Sequence, residues 1–67
     1  MRLREIRINH QKTQKELAEH LGSTIRAIAY YESGSREPNI ATLIAIADYF
    51  GVSIDYLVGR TDNPQRL

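Results

Sequence analysis

The sequence has no cysteine among its 67 residues. A disulfide or a thiolate-bound metal therefore cannot stabilise the fold, and this composition is compatible with a reducing cytoplasm. The chain also lacks an apolar run approaching the roughly 20 residues of a membrane span, and no apolar signal-peptide core follows its first residues. These absences predict one cytoplasmic domain that depends on helix packing, and on dimerisation, for its stability.

Residues with the spacing of a catalytic or metal site are also scarce. His10 and His20 stand ten positions apart, and no carboxylate is placed as a third ligand. The sequence contains no Ser/His/Asp arrangement, glycine-rich phosphate loop or close carboxylate pair. We therefore expect no enzymatic activity, no metal or other cofactor, and no small-molecule ligand.

The net charge is only +1, but it is distributed unevenly. Residues 1–36 carry seven Lys or Arg and four Glu, whereas residues 37–67 carry two Arg and four acidic residues. A domain with one basic surface has this asymmetry, and so does ordinary scatter of surface charge. Charge alone leaves nucleic-acid binding open.

Helix signals follow one another along the chain, and strand signals are poor. Leu3, Ile6 and His10 mark one face of a first helix over residues 2–10. Thr13 and Glu16 have the spacing of a capping box, in which each side chain accepts the other residue's backbone amide. This pattern predicts a second helix from Gln14 to Leu21, followed by Gly22 as its stop signal.

Three further helices are predicted from N-capping residues and from the glycine that follows each helix. The N-caps are Ser23 or Thr24, then Asn39, then Ser53, ahead of helices over residues 24–33, 40–50 and 54–58. The predicted fold class is all-α, a compact five-helix bundle over residues 1–60. The remainder, residues 61–67, is predicted to be a polar, frayed tail.

The segment 14–32 has the features of a helix-turn-helix. Two helices joined by so short a turn cross at a steep angle, which requires a small residue at the crossing. Ala18 meets that requirement, and Gly22 provides the turn. The apolar residues expected to hold the crossing angle are Leu17, Leu21, Ile28 and Tyr31.

The chain resembles the Xre/Cro/phage-repressor family of helix-turn-helix domains over about residues 2–60. The matching residues are Thr13-Gln14-Lys15-Glu16-Leu17-Ala18, Leu21-Gly22, Ile28, Tyr31-Glu32-Ser33-Gly34, Arg36-Glu37-Pro38, Leu43, Ala47, Phe50-Gly51-Val52-Ser53 and Asp55-Tyr56-Leu57. The resemblance implies a lambda-repressor-like DNA-binding fold and double-stranded DNA as the partner. It implies a DNA-contacting set of Gln14, Thr24, Ile25, Arg26, Ala29, Tyr30, Ser33, Ser35 and Arg36.

The implied roles within this set follow side-chain chemistry. Gln14 would anchor a phosphate together with the free amides at its helix N-terminus. Arg26 would pair with a guanine, and Ile25 and Ala29 would contact thymine methyl groups. Tyr30 would bond a base or a phosphate. Ser33, Ser35 and Arg36 would contact the DNA backbone.

The resemblance also implies an ion pair between Arg7 and Glu32 that joins the first and third helices. Four apolar positions outside the predicted core stripes would form a homodimer interface if they cluster, and otherwise are scattered surface residues: Ile44, Tyr49, Tyr56 and Val58.

The predicted function is a transcriptional regulator, a repressor, that binds a near-palindromic operator as a dimer. Two departures from the family pattern favour a different class, a protein-interaction module such as an antitoxin or an adaptor. Ile25 stands at a position that is often polar, and Ser35 stands where a lysine is frequent.

Overall fold

A computed structural model describes residues 1–65, and this part of the chain contains five α-helices and no strand. The helices are α1 (Leu3–Asn9), α2 (Gln14–Leu21), α3 (Ile25–Ser33), α4 (Ile40–Phe50) and α5 (Ile54–Val58). The predicted all-α, five-helix class is confirmed. None of these helices has the length and apolar character needed to cross a membrane. The last two residues of the predicted tail, Arg66 and Leu67, lie outside the described residues.

Side-chain caps mark the start of four of the five described helices, α2 to α5. Both halves of the predicted capping box of α2 are present, because Thr13 Oγ1 accepts the Glu16 amide and Glu16 Oε1 accepts the Thr13 amide, each at 3.0 Å. Thr24 has extended backbone and its hydroxyl accepts the Ala27 amide at 3.1 Å, so α3 begins one residue later than predicted. Asn39 and Ser53 cap α4 and α5 as expected.

All five helices contribute to one apolar core. Its buried members are Leu3, Ile6, Leu17, Ala18, Ile28, Ile46, Ala47, Phe50, Val52 and Leu57. His10, expected on the inward face of the first helix, is instead exposed beyond the end of α1, where its ring meets the Phe50 ring at 5.1 Å between centroids. The helix ends at Asn9, so the helical periodicity does not extend to His10.

Tyr49 and Tyr56, predicted to lie outside the core, are partly buried against it. The Tyr49 ring lies 4.2 Å from the His20 ring on α2, and the Arg2 guanidinium lies 4.6 Å above the Tyr56 ring. Helix α4 contacts both α2 and α5, so Tyr49, which was predicted to lie outside the core, is also partly covered. Ile44 remains 44 % exposed.

Residues 61–64, expected to be frayed, are held against the domain. Arg2 donates through Nη2 to the Thr61 carbonyl at 3.0 Å and to the Asp62 carboxylate at 2.6 Å. The Ser53 amide donates to the Pro64 carbonyl at 3.1 Å. The polarity of this segment suggested disorder, but its carbonyl groups find donors on residues that are distant in sequence.

Candidate nucleic-acid interface

Helices α2 and α3 form the helix-turn-helix. Gly22 ends α2 in the left-handed conformation with φ of 64°, which glycine adopts without steric cost. The Ser23 amide then donates to the Ala18 carbonyl at 2.8 Å, which closes the turn. Ala18 is only 3 % exposed in the apolar core, to which both helices contribute. The small side chain is therefore buried, as the predicted crossing requires.

The start of α3 presents two side chains to solvent. Ile25 is 48 % exposed, and Arg26 is exposed with no hydrogen bond or ion pair to any residue in the described part of the chain. Tyr30, which the resemblance places on the DNA-facing side, and Ala29 beside it are half-buried. Arg26 therefore carries the free donor groups on this part of the helix.

The end of α3 brings Tyr30 and Arg36 together. The Arg36 guanidinium carbon lies 5.0 Å from the Tyr30 ring centroid, within the range of a cation–π contact. Ser33 and Ser35 share a hydroxyl–hydroxyl hydrogen bond of 2.9 Å beside them. Four side chains that the resemblance assigned to DNA contacts thus interact in two pairs, and the Tyr30 ring supports the cation of Arg36.

The N-terminus of α2 opens onto a groove of about 600 Å³, which we call the α2 groove. Its lining residues are Arg7, Ile8, Gln11, Lys12, Thr13, Gln14, Lys15 and Ile25. The capping box uses the amides of Thr13 and Glu16, while those of Gln14 and Lys15 have no acceptor within the described residues. These free amides and the two lysines make the groove suitable for an anion.

The sequence assigned no role to Ile8, Lys12 or Lys15. Lys12 precedes the capping box and Lys15 lies within it, and this spacing was the available signal that they lie beside the N-terminus of α2. Ile8, which is 52 % exposed, also lines the groove. Its position there depends on how α1 packs against α3, so no local sequence pattern predicts it.

Arg7 and Glu32 form a partly buried ion pair that joins α1 to α3. Arg7 Nε lies 2.6 Å from Glu32 Oε2, and Arg7 Nη2 lies 3.2 Å from Glu32 Oε1. Arg7 also donates to the Lys12 carbonyl at 2.8 Å. The Gln14 side chain, expected to be available to a phosphate, donates from Nε2 to Glu32 Oε1 at 3.1 Å. One carboxylate therefore receives donors from α1 and α2.

The positive charge available on this surface comes from residues other than Arg7. Because Glu32 neutralises Arg7, the cations next to α2 and α3 are Lys12, Lys15, Arg26 and Arg36. Lys12 lies 3.9 Å from Glu16 in an exposed contact, which contributes little. The result is a modest basic surface extending from the start of α2 to the end of α3.

A sequence model described as helix-turn-helix matches residues 3–57 of the chain. The chain belongs to this helix-turn-helix family. The resemblance to Xre/Cro/phage-repressor domains is confirmed, and so is the expectation from the sequence that the chain is not an enzyme, because the curated relatives are named as transcriptional regulators.

Three relatives illustrate the similarity. YobD of Bacillus subtilis, named an uncharacterised HTH-type transcriptional regulator, is 38% identical over 94% of this chain and 56% of its own length. YqaE of the same organism, with the same description, is 43% identical over 91% of the chain and 53% of its own length. RstR of Vibrio cholerae, a cryptic phage CTXphi transcriptional repressor, is 41% identical over 84% of the chain and 52% of its own length. The chain thus spans about half the length of these relatives.

Proposed function

We propose that this chain is a sequence-specific DNA-binding transcriptional regulator that inserts α3 into the major groove. The carrying observation is Arg26, an exposed cation without an internal partner on α3. It stands between the free amides at the start of α2 and the cation of Arg36 at the end of α3. A protein that reads bases while holding the flanking phosphates has its donor groups in this order.

The proposed division of labour follows the chemistry of each side chain. Arg26 makes paired hydrogen bonds to a guanine, and Ile25 and Ala29 contact thymine methyl groups. Phosphate contacts come from Gln14 on α2, from Thr24 at the start of α3, and from the group at its end. That group is Ser33, Ser35 and Arg36, with Tyr30 as the support of the Arg36 cation.

We further propose that the regulator is a repressor and acts as a symmetric homodimer on a near-palindromic operator in the cytoplasm. The relative named as a phage repressor supports the sign of regulation. One domain of this size makes few phosphate contacts, so two copies with their α3 helices about 34 Å apart provide the affinity that one lacks. The exposed Ile44 on α4, with Tyr49, Tyr56 and Val58, is the proposed dimer contact.

Selection of bound fragments from random DNA, followed by affinity measurements on the selected site, tests this function. Arg26→Ala is expected to weaken specific binding by about 1–3 kcal/mol and to remove the preference at one position per half-site. Gln14→Ala is the control, because its proposed phosphate contact is lost equally on every sequence. An unchanged consensus and affinity for the Arg26 variant would contradict the proposed reading residue.

The alternative, a protein-interaction module, is favoured by one observation. Ile8 and Ile25 are 52 % and 48 % exposed, and both line the α2 groove. Titration with mixed genomic DNA at low and moderate salt separates the two functions, because nonspecific DNA binding is strongest at low salt. Failure of the folded protein to bind at low salt would favour the interaction module.

A further inference from the structure

A side-chain hydrogen bond joins Gln14 on α2 to Glu32 on α3 across the helix-turn-helix. We propose that Glu32 is a positioning residue that holds the Gln14 amide in the orientation needed to donate to a DNA phosphate. This inference rests on the proposed function, since it assigns a cause to the geometry of one of its phosphate contacts.

The carboxylate of Glu32 determines which end of the Gln14 amide faces it. An ionised carboxylate only accepts hydrogen bonds, so the amide nitrogen of Gln14 must point toward it, as the 3.1 Å contact from Nε2 indicates. That nitrogen has two N–H groups that diverge, and Glu32 uses one of them. The second N–H remains available to a phosphate oxygen, which also only accepts.

Arg7 allows a carboxylate to lie this close to a phosphate site. It contacts both oxygens of Glu32, and the Glu32 side chain is only 5 % exposed. A charge-assisted, two-point contact of this kind is rigid and neutralises the carboxylate locally. Arg7 is itself held by the Lys12 carbonyl at 2.8 Å, so the support does not depend on solvent-exposed groups.

The consequence is a fixed relation between a phosphate anchor and the reading helix. Gln14 is the first residue of α2, and Glu32 lies in the last turn of α3. A free glutamine side chain loses rotamer entropy when it binds, whereas a side chain already held in its bound orientation loses less. Glu32 therefore increases the contribution of Gln14 to affinity without contacting DNA itself.

A double-mutant cycle tests this coupling. The variant Arg7→Met/Glu32→Met leaves the net charge unchanged, and replacement of a buried ion pair by apolar side chains often preserves folding. We expect it to weaken binding to the selected operator by about two- to tenfold, the effect of one hydrogen bond. In the Gln14→Ala background the same replacement is expected to have no effect, because no amide remains to be positioned. Thermal unfolding identifies the temperature at which every variant is folded.

A second measurement uses the wild-type protein and therefore does not depend on whether a variant folds. In the NMR spectrum of the DNA-free protein, one Nε2 proton of Gln14 is expected to exchange more slowly with solvent than that of an exposed glutamine and to be shifted from the position found there. A Gln14 side-chain amide with the shifts and exchange rates of an exposed glutamine would overturn the proposal.

The binding outcomes separate this inference from the function on which it rests. Equal losses with and without Gln14 would mean that the ion pair acts only on the fold, and the positioning role would be overturned while DNA binding stands. If Gln14→Ala alone does not change affinity, the positioning role is also overturned. A folded wild-type protein that binds no DNA would overturn the proposed function, and the positioning role with it.

Discussion

Thr13 and Glu16 show how two residues define the start of a helix. Hydrogen bonds from the Thr13 backbone amide, and then from its hydroxyl, lower the pKa of Glu16. Because the folded-state pKa is lowered, this stabilisation is present above the ordinary pKa of glutamate and is lost as pH falls through the lowered value. The capping box therefore stabilises α2 at neutral pH.

Replacement of Thr13 tests this at the scale of one residue. We expect Thr13→Ala to raise the pKa of Glu16 toward its ordinary value, because the hydroxyl is lost and the reciprocal bond from the backbone loosens. An NMR titration of the Glu16 carboxyl carbon measures the change. Thr42→Ala, on α4, is the matched control and should leave the Glu16 titration unchanged.

At the scale of the element, the angle at which α2 packs against α3 depends on one small side chain. Ala18 is 3 % exposed in the core that α2 and α3 share, and a larger side chain there has no space without displacing its neighbours. Overpacking of this kind changes both stability and the angle at which α3 is presented. The space at position 18 therefore limits the size of the side chain that the helix-turn-helix can accept there.

Ala18→Leu is expected to lower the free energy of unfolding by about 1–3 kcal/mol, because the core cannot accept the added volume without strain. Urea denaturation followed by circular dichroism measures it. Ala41→Leu, at an exposed position of α4, adds the same volume and should change stability little. Equal effects of the two substitutions would show that the crossing tolerates a larger side chain.

At the scale of the whole molecule, Arg2 joins the two ends of the described chain. Its backbone amide donates to the Leu57 carbonyl at 2.7 Å, and its guanidinium contacts Tyr56, Thr61 and Asp62. The segment after α5 is thereby held against the start of α1. This contact determines the direction in which the chain leaves α5.

Loss of the Arg2 side chain is expected to release that segment. In Arg2→Ala the Ser53 amide, which donates to the Pro64 carbonyl, should exchange faster with solvent, because the segment that shields it is no longer held. Hydrogen exchange followed by NMR measures the rate. Arg4→Ala, an exposed arginine of α1, should leave the rate at Ser53 unchanged.

The proposed homodimer is tested at the scale of the whole molecule. Ile44→Glu places a charge in the proposed contact, where burial of an unpaired charge is unfavourable. We expect a shift from dimer to monomer in analytical ultracentrifugation and weaker binding to a full operator, with binding to a half-site unchanged. Ile8→Glu, at a similarly exposed isoleucine of α1, should not change the dimer equilibrium. A dimer equilibrium unaffected by Ile44→Glu would place the contact elsewhere.

Local sequence signals were sufficient to predict where most of the helices begin and end. Capping residues such as Asn39 and stop residues such as Gly22 act on amides and carbonyls within four positions of themselves, so their effect can be read without knowing the fold. The predicted bounds of α2, α4 and α5 are confirmed for this reason. The combination of Ala18 with Gly22 likewise predicted the helix-turn-helix.

Only the tertiary structure decided which of these residues act together. Glu32 lies 25 positions from Arg7 and 18 from Gln14, and Arg2 lies 60 positions from Asp62. Contacts over such distances depend on how helices pack, which local periodicity does not encode. The sequence therefore determined that a helix-turn-helix would form and which residues could meet DNA. Packing determined that the Gln14 amide donates to Glu32, that the Arg36 cation lies over the Tyr30 ring, and that Arg26 has no internal partner among the described residues.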